Sequence, residues 1–206
     1  MDPKQDSAAR LCLASMSPRR RELLHQIGVS HCVRAPHIDE AVLAGEAAAD
    51  YVVRMARTKA LAGGAPGQDL PVLAADTIVL IDQLILGKPA GAAEAVAMLE
   101  RLSGRTHEVL TAVALASGAG VAQRLSISQV RLRHLSRAEC IAYWHSGEPR
   151  DKAGAYAVQG RGALFIEHLS GSYSGVMGLP LYETGQLLAE AGVPCWLDEA
   201  RRELPS

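Results

Sequence analysis

The chain is poor in aromatic side chains: Phe, Trp and Tyr together make up 4% of its 206 residues, and Phe occurs once. Proteins that bind single-stranded nucleic acid stack bases on aromatic platforms, so this scarcity argues against that class. Neither sign of charge dominates. A formal net charge of −1 gives too weak a field to draw in DNA or an acidic membrane. Any anion must therefore be held by local clusters of Lys and Arg. No apolar run is long enough to span a bilayer, and the opening Met1-Asp-Pro-Lys-Gln-Asp-Ser-Ala-Ala-Arg10 lacks the apolar segment of a signal peptide. Cys12, Cys32, Cys140 and Cys195 contain no C-x-x-C pair, which argues against a zinc site and against a disulfide framework. The histidines show no metal spacing and read as surface or satisfied core residues. A reduced, cytoplasmic protein with no nucleic-acid or membrane partner is the expectation.

What the chain has is an apolar core signal, with hydrophobic residues at 49%. Leu11–Ala14 reads as a short strand running into Ser17 and Pro18, a helix start with Ser as N-cap and Pro at the first position. Leu23, Leu24 and Ile27 continue that helix, and Gly28 stops it. Val29–Val33 reads as a strand, Ala47–Ala62 as an amphipathic helix, and Gly63-Gly-Ala-Pro-Gly67 as a break. Leu70–Ile81 is rich in Val, Ile and Leu, the pattern of a strand buried on both faces. A helix over Ala92–Leu102 ends at Ser103-Gly104. Strands over His107–Ala116 and Ala122–His134 meet in a hairpin at Ser117-Gly-Ala-Gly120. Ser136 with Glu139 forms a capping box for a helix from Arg137 to Ser146. Ala163–His168 reads as a strand and Leu179–Ala191 as the last helix. The pattern is an α/β unit with a mixed sheet.

Within the 70–81 strand stands Asp76, a carboxylate that is costly to bury unless it meets a cation, a metal or strong donors. Read alone, it is better taken as an Asp at a strand end, capping the next turn. Its companions favour more. Ser15-Met-Ser-Pro-Arg-Arg-Arg21 is a strand-to-helix turn whose free N–H groups, helix dipole and guanidinium forks suit phosphate. The alternative is a surface helix with solvated arginines. Glu40, after Asp39, could converge with Asp76 on a magnesium-like ion, which takes one or two carboxylates plus phosphate oxygens; an exposed loop pair is the competing reading. Lys59 and Lys88 could each supply a point charge. Asp151–Gly162 has glycines that permit close backbone approach or positive φ, and Gln159 could pair with a base edge. There is no G-x-G-x-x-G fingerprint and no P-loop.

Taken together, Ser15-x-Ser-Pro-Arg-Arg20, Ala75-Asp-Thr77, Gly87-Lys-Pro89, Ser103-Gly-x-Thr-His107 and Asp151-Lys-Ala-Gly-Ala-Tyr156, with Gly171-Ser-Tyr173 and Gly178-Leu-Pro-Leu181, resemble the Maf family of nucleotide pyrophosphatases. The resemblance spans about Leu11 to Gly192. It implies a fold similar to the inosine triphosphate pyrophosphatases, a long mixed sheet flanked by helices with a central cleft. One domain of two lobes would cover residues 11–195, with a flexible start over 1–10 and a loose tail over 196–206. It implies Asp76 as proton acceptor and Arg20, Thr77 and Gln159 as setters of base specificity. Ser15, Arg19, Lys59, Lys88 and Lys152 would line the substrate site, and Glu40 with Asp76 would hold a divalent Mg²⁺ or Mn²⁺. Lys152 and the Tyr-x-x-Gln-Gly form at Tyr156–Gly160 resemble the branch acting on dTTP and UTP; the branch preferring N7-methylated GTP typically has an acid where Gln159 stands. Met16 replaces a smaller residue and Gly175 an Asn found in many members. The family analogy further implies a homodimer. A different class stays open, because the family has been linked with septum formation: a regulator that binds nucleotides or division partners without turnover.

Overall fold

In a computed structural model, residues 9–64 and 70–196 are described. The expected flexible start over 1–8, the Ala65–Gly67 part of the glycine break and the tail over 197–206 lie outside them. The elements run β1 (Leu11–Leu13), α1 (Pro18–Gln26), β2 (His31–Val33), α2 (Ala48–Ala62), β3 (Val72–Ile81), β4 (Leu84–Leu86), α3 (Ala92–Leu102), β5 (Thr106–Ser117), β6 (Gly120–Leu132), α4 (Arg137–His145), β7 (Ile166–Ser170), α5 (Tyr173–Met177) and α6 (Leu181–Glu190).

Among the described residues, seven strands join one mixed sheet in the order β2-β1-β3-β5-β6-β7, with β4 paired to β3. The β1 pairings to β2 and β3 are parallel, and the others are antiparallel. Along one edge β3 pairs with β1 through Leu73 and with β4 from Val79 onward. Ala74–Ile78 therefore have no strand neighbour on that edge, while β5 covers the other edge throughout. The sheet opens there, and Asp76 and Thr77 stand in the opening.

Strand alternation decides what each face carries. Even-numbered residues of β3 and β5, among them Ala74, Ile78, Leu110 and Ala112, pack under the Val52, Met55 and Ala56 stripe of α2. On the opposite face the odd-numbered residues divide. Leu73, Ala75, Val113 and Leu115 join Leu23 and Leu24 of α1 and Leu187 and Leu188 of α6. Val79, Ile81 and Val109 join Leu99 and Leu102 of α3 and Tyr143 of α4. Between the two apolar cores lies a pair of directly opposed threonines, Thr77 and Thr111. The polar gap is the floor of a cleft.

Four features depart from the sequence reading. β4 and α5 were not expected. Ala163–Phe165, read as strand, belongs to a 3₁₀ turn over Gly160–Phe165, and the strand sits later, at Ile166–Ser170. Ser17 does occupy the N-cap of α1 but its side chain makes no capping bond; instead its own N–H donates to Ser15 Oγ at 3.2 Å. The capping box of α4 is present in full.

Candidate active site

The sheet opening leads into a cleft of about 570 Å³ lined from both cores. Ser15, Arg19, Arg20, Glu40, Lys59, Asp76, Thr77, Lys88, Lys152 and Gln159 all line it, whereas Asp39 and Arg21 do not. Five cationic side chains face three carboxylates, Glu40, Asp76 and Asp151. A nearly neutral chain thus concentrates positive charge in its cleft, as a polyanion site requires.

Asp76 and Thr77 follow one another in β3 and so project to opposite faces. On the α2 face, Asp76 is 9% exposed and its Oδ1 accepts from Lys59 Nζ at 2.6 Å. The same ammonium lies 2.7 Å from Glu40 Oε1, bridging the two carboxylates. Burial alone would raise the Glu40 pKa, but its hydrogen bond to Lys59 and the nearby Lys88 and Arg20 bring it below the usual carboxylate value. Tyr51 donates to the Glu40 carbonyl at 3.0 Å and fixes that loop on α2. Asp39 turns away and accepts from Ala41 N, a local turn.

On the other face, Arg20 is held at three points: Nε donates to Gly178 O at 2.7 Å, Nη1 to Ser15 Oγ at 3.1 Å, and Nη2 to Thr77 Oγ1 at 3.3 Å. Desolvation lowers its pKa, against the attraction of Asp76. Thr111 Oγ1 lies 2.7 Å from Gly175 O and 3.0 Å from Thr77 Oγ1. The Thr111 hydroxyl is directed at both Gly175 O and Thr77 Oγ1, and Thr77 Oγ1 also accepts from Arg20. As a hydroxyl, Thr77 can donate as well as accept toward the cleft. The three arginines after Pro18 therefore part company: Arg19 bonds Asp151 at 3.1 Å, Arg20 enters the site, and Arg21 is exposed.

The far wall is the Asp151–Gly162 segment. Lys152 Nζ donates to Asp151 Oδ1 at 2.6 Å and to Glu148 O at 2.8 Å. Burial raises the Asp151 pKa, but Lys152 and Arg19 outweigh it, and the net shift is downward. Gly154 N donates to Gly87 O at 3.0 Å, which sets Lys88 beside this wall. Close approach of the glycines is to the protein itself: a Cβ on Gly154 would lie 2.9 Å from Val79 Cγ2. Ala155 is held at φ 58°, a left-handed conformation unusual for Ala. His107 is buried, with Nε2 2.7 Å from Tyr156 Oη, and Nδ1 has no hydrogen-bond partner among the described residues.

Sequence reasoning passed over Asp151, Tyr51, Thr111 and Glu148 as site residues, placing Tyr51 only in a helix. Arg19 and Asp151 lie 132 residues apart, and Thr111 and Thr77 lie 34 apart, so spacing carries no signal for those pairs. Asp151 alone lay inside a segment already singled out.

Glu40 and Asp76 are the two carboxylates that could hold a divalent ion, since magnesium commonly takes only one or two carboxylates with the remainder from phosphate and water. Both bond the Lys59 ammonium, so an ion seated between them would have to displace it. Among the described residues there is no group of three or more His, Cys, Asp and Glu arranged for a metal, and no helix is long and apolar enough to cross a membrane.

Comparison with known proteins gives one consistent picture. The family described as Maf-like protein matches residues 10–191. A dTTP/UTP pyrophosphatase of Methylobacillus flagellatus is 56% identical over 186 residues, covering 89% of this chain and 94% of the relative. One from Saccharophagus degradans is 51% identical, covering 94% of each chain. A third, from Methylococcus capsulatus, is 56% identical over 89% of this chain and 92% of its own.

Proposed function

Because the chain belongs to the Maf family, we propose that its cleft hydrolyses dTTP and UTP to the nucleoside monophosphate and pyrophosphate. The observation that carries this reading is the arrangement about β3: a carboxylate bonded to Lys59 on one face, and a threonine hydroxyl bonded to Arg20 on the other. The first suits phosphate chemistry and the second suits a base.

In this reading water attacks the α-phosphorus, the bond to the bridging oxygen breaks, and pyrophosphate leaves. Asp76 takes the proton that the water gives up. A carboxylate is a weak base, so its contribution comes largely from holding that water in line. Arg19, Lys59, Lys88 and Lys152 offset the charge that builds on the leaving group, usually the dominant source of rate acceleration in such reactions. A bound Mg²⁺ or Mn²⁺, held by Asp76 and Glu40, would supply Lewis-acid polarisation of the phosphate. The Thr77 hydroxyl and the Gln159 amide can each donate and accept, which suits the carbonyls and N3–H of thymine or uracil. Ser15 keeps Arg20 aligned with Thr77.

Residues 11–195 act as one domain of two lobes, a reading supported by the sheet that runs through both cores. The family analogy supports a homodimer. A cytoplasmic setting accords with four cysteines that form no disulfide. Incubating the purified protein with dTTP or UTP and Mg²⁺ or Mn²⁺ should release pyrophosphate and the monophosphate in equal amounts. Nucleotide binding with no pyrophosphate under either metal would instead favour the non-catalytic regulator.

A further inference from the structure

Gln159 lines the cleft, yet its side chain makes no hydrogen bond among the described residues. Its position is set by the backbone on either side, and both sides lead to one carboxylate. Upstream, Ala157 N donates to Tyr143 Oη at 3.1 Å, and Tyr143 donates to Glu148 Oε1 at 2.7 Å. Downstream, Gly162 N donates to Glu148 Oε1 and Arg161 N to Glu148 Oε2, both at 2.9 Å. The loop rests directly on these groups: a Cβ at Gly160 would lie 2.6 Å from Glu148 Oε2, and one at Gly162 would lie 2.5 Å from Tyr143 Oη. Glu148 also accepts from Lys152 through its carbonyl, so the same residue steadies a cation of the far wall.

We infer that Glu148 is the positioning residue for base recognition, clamping residues 157–162 so that Gln159 is held against the nucleotide base. The inference rests on the assignment of Gln159 to base reading made above. A carboxylate is the chemistry the clamp needs. Three donors converge on its two oxygens, and an amide in its place would turn an N–H toward at least one of them. Although burial works against ionisation, the Tyr143 hydroxyl and the two amides hold the Glu148 pKa below the usual value. The carboxylate is therefore charged wherever the enzyme would work. Glu148 touches no reacting atom, and its effect must travel through the loop.

The test combines Glu148→Gln with Gln159→Ala, singly and together, and measures kcat and KM for dTTP and for GTP. Glu148→Gln should lower kcat/KM for dTTP by about tenfold, chiefly through KM, and leave GTP within about twofold, so the selectivity ratio falls. In the Gln159→Ala background the same change should cost less than about twofold, because its route of action is gone. A full tenfold loss persisting in that background overturns the inference. Tyr143→Phe is the milder companion: it keeps the ring packed on Phe165 (4.9 Å between centroids) and removes only the hydroxyl, and it should give a smaller loss of the same kind. Amide hydrogen exchange reads the clamp without substrate. Exchange at Ala157, Arg161 and Gly162 should quicken about tenfold or more in Glu148→Gln, with the β5 amides of Ala112 and Val113 unchanged. Unaltered exchange at the three loop amides also overturns the inference. If exchange quickens while Gln159→Ala leaves the dTTP-to-GTP ratio intact, the base-reading role of Gln159 falls and the clamp itself stands.

Discussion

Asp76 and Thr77 point to opposite faces of β3, and in the proposed reading this divides chemistry from recognition, with consequences that can be read one residue at a time. Asp76→Asn keeps an oxygen for Lys59 but removes the basicity, so turnover should fall by a factor of about 10² or more while KM for dTTP changes little; steady-state kinetics on the folded variant checks this, and near-normal turnover would refute the assignment. Gln159→Glu replaces a group that donates and accepts with one that only accepts, leaving the carbonyl oxygens of thymine or uracil facing a carboxylate. The pyrimidine rate should drop by roughly 1–3 kcal/mol in kcat/KM, and the gap to 7-methyl-GTP should narrow. A panel of dTTP, UTP, GTP and 7-methyl-GTP measures both. Asp76 was legible in sequence because an ionised group in an apolar strand has to be explained. Arg20 was only half legible. Its place at a helix start suggested phosphate or solvent, whereas three hydrogen bonds commit it to Ser15, Thr77 and Gly178. That commitment depends on Gly178, 158 residues away, and no local pattern could disclose it.

Among the elements, those with strong local signals were found where the pattern put them. The α4 start is the clearest case. Ser136 Oγ accepts from Glu139 N at 3.3 Å, and Glu139 accepts from Ser136 N at 2.8 Å. Ser136→Ala should lower unfolding stability by about 1 kcal/mol and leave turnover unchanged, which denaturant titration beside an activity assay would show. The β5–β6 hairpin was legible because the glycines of Ser117-Gly-Ala-Gly120 separate two strand-like runs. β4 was not, since it has three residues and its turn places Asp82 and Gln83 at positive φ instead of glycine. The late start of β7 was likewise hidden. Residues 160–165 wind into a 3₁₀ turn over Glu148, a tertiary partner that outweighs the β-like sequence of Ala163–Phe165. α5 escaped because its start depends on Ser172 accepting from Gly175 N, and a five-residue helix shows no period.

For the molecule as a whole, acid should be the principal stress. Burial depresses the His107 pKa from its ordinary 6.5 to about 4. Between those values the unfolded chain binds a proton that the folded chain refuses, so stability is lost as pH falls from about 6.5 toward 4. The loss from this residue should be about 3 kcal/mol. Glu148 and Asp151, whose pKa values lie below the ordinary carboxylate values, add losses as pH falls further through their folded-state values. Denaturant midpoints at pH 7 and pH 5 should therefore differ, and His107→Gln should be less stable at pH 7 but flatter between the two. A titration curve identical to that of the parent protein would exclude His107 as the cause.

The alternation at positions 76 and 77 also makes β3 a gauge of fixed length. In the proposed reading, one residue of strand rise, about 3.4 Å, separates the group set for the reacting phosphorus from the group set for the base. Neither can be displaced without carrying the other along. A nucleotide whose base seats poorly at Thr77 is thereby presented to Asp76 out of alignment, so a wrong substrate is penalised in the speed of cleavage as well as in its hold on the cleft. Inserting or deleting one residue in the first half of β3 would exchange the two faces and abolish both tasks together. New base preferences in this scaffold must then arise by replacing side chains around an unaltered backbone.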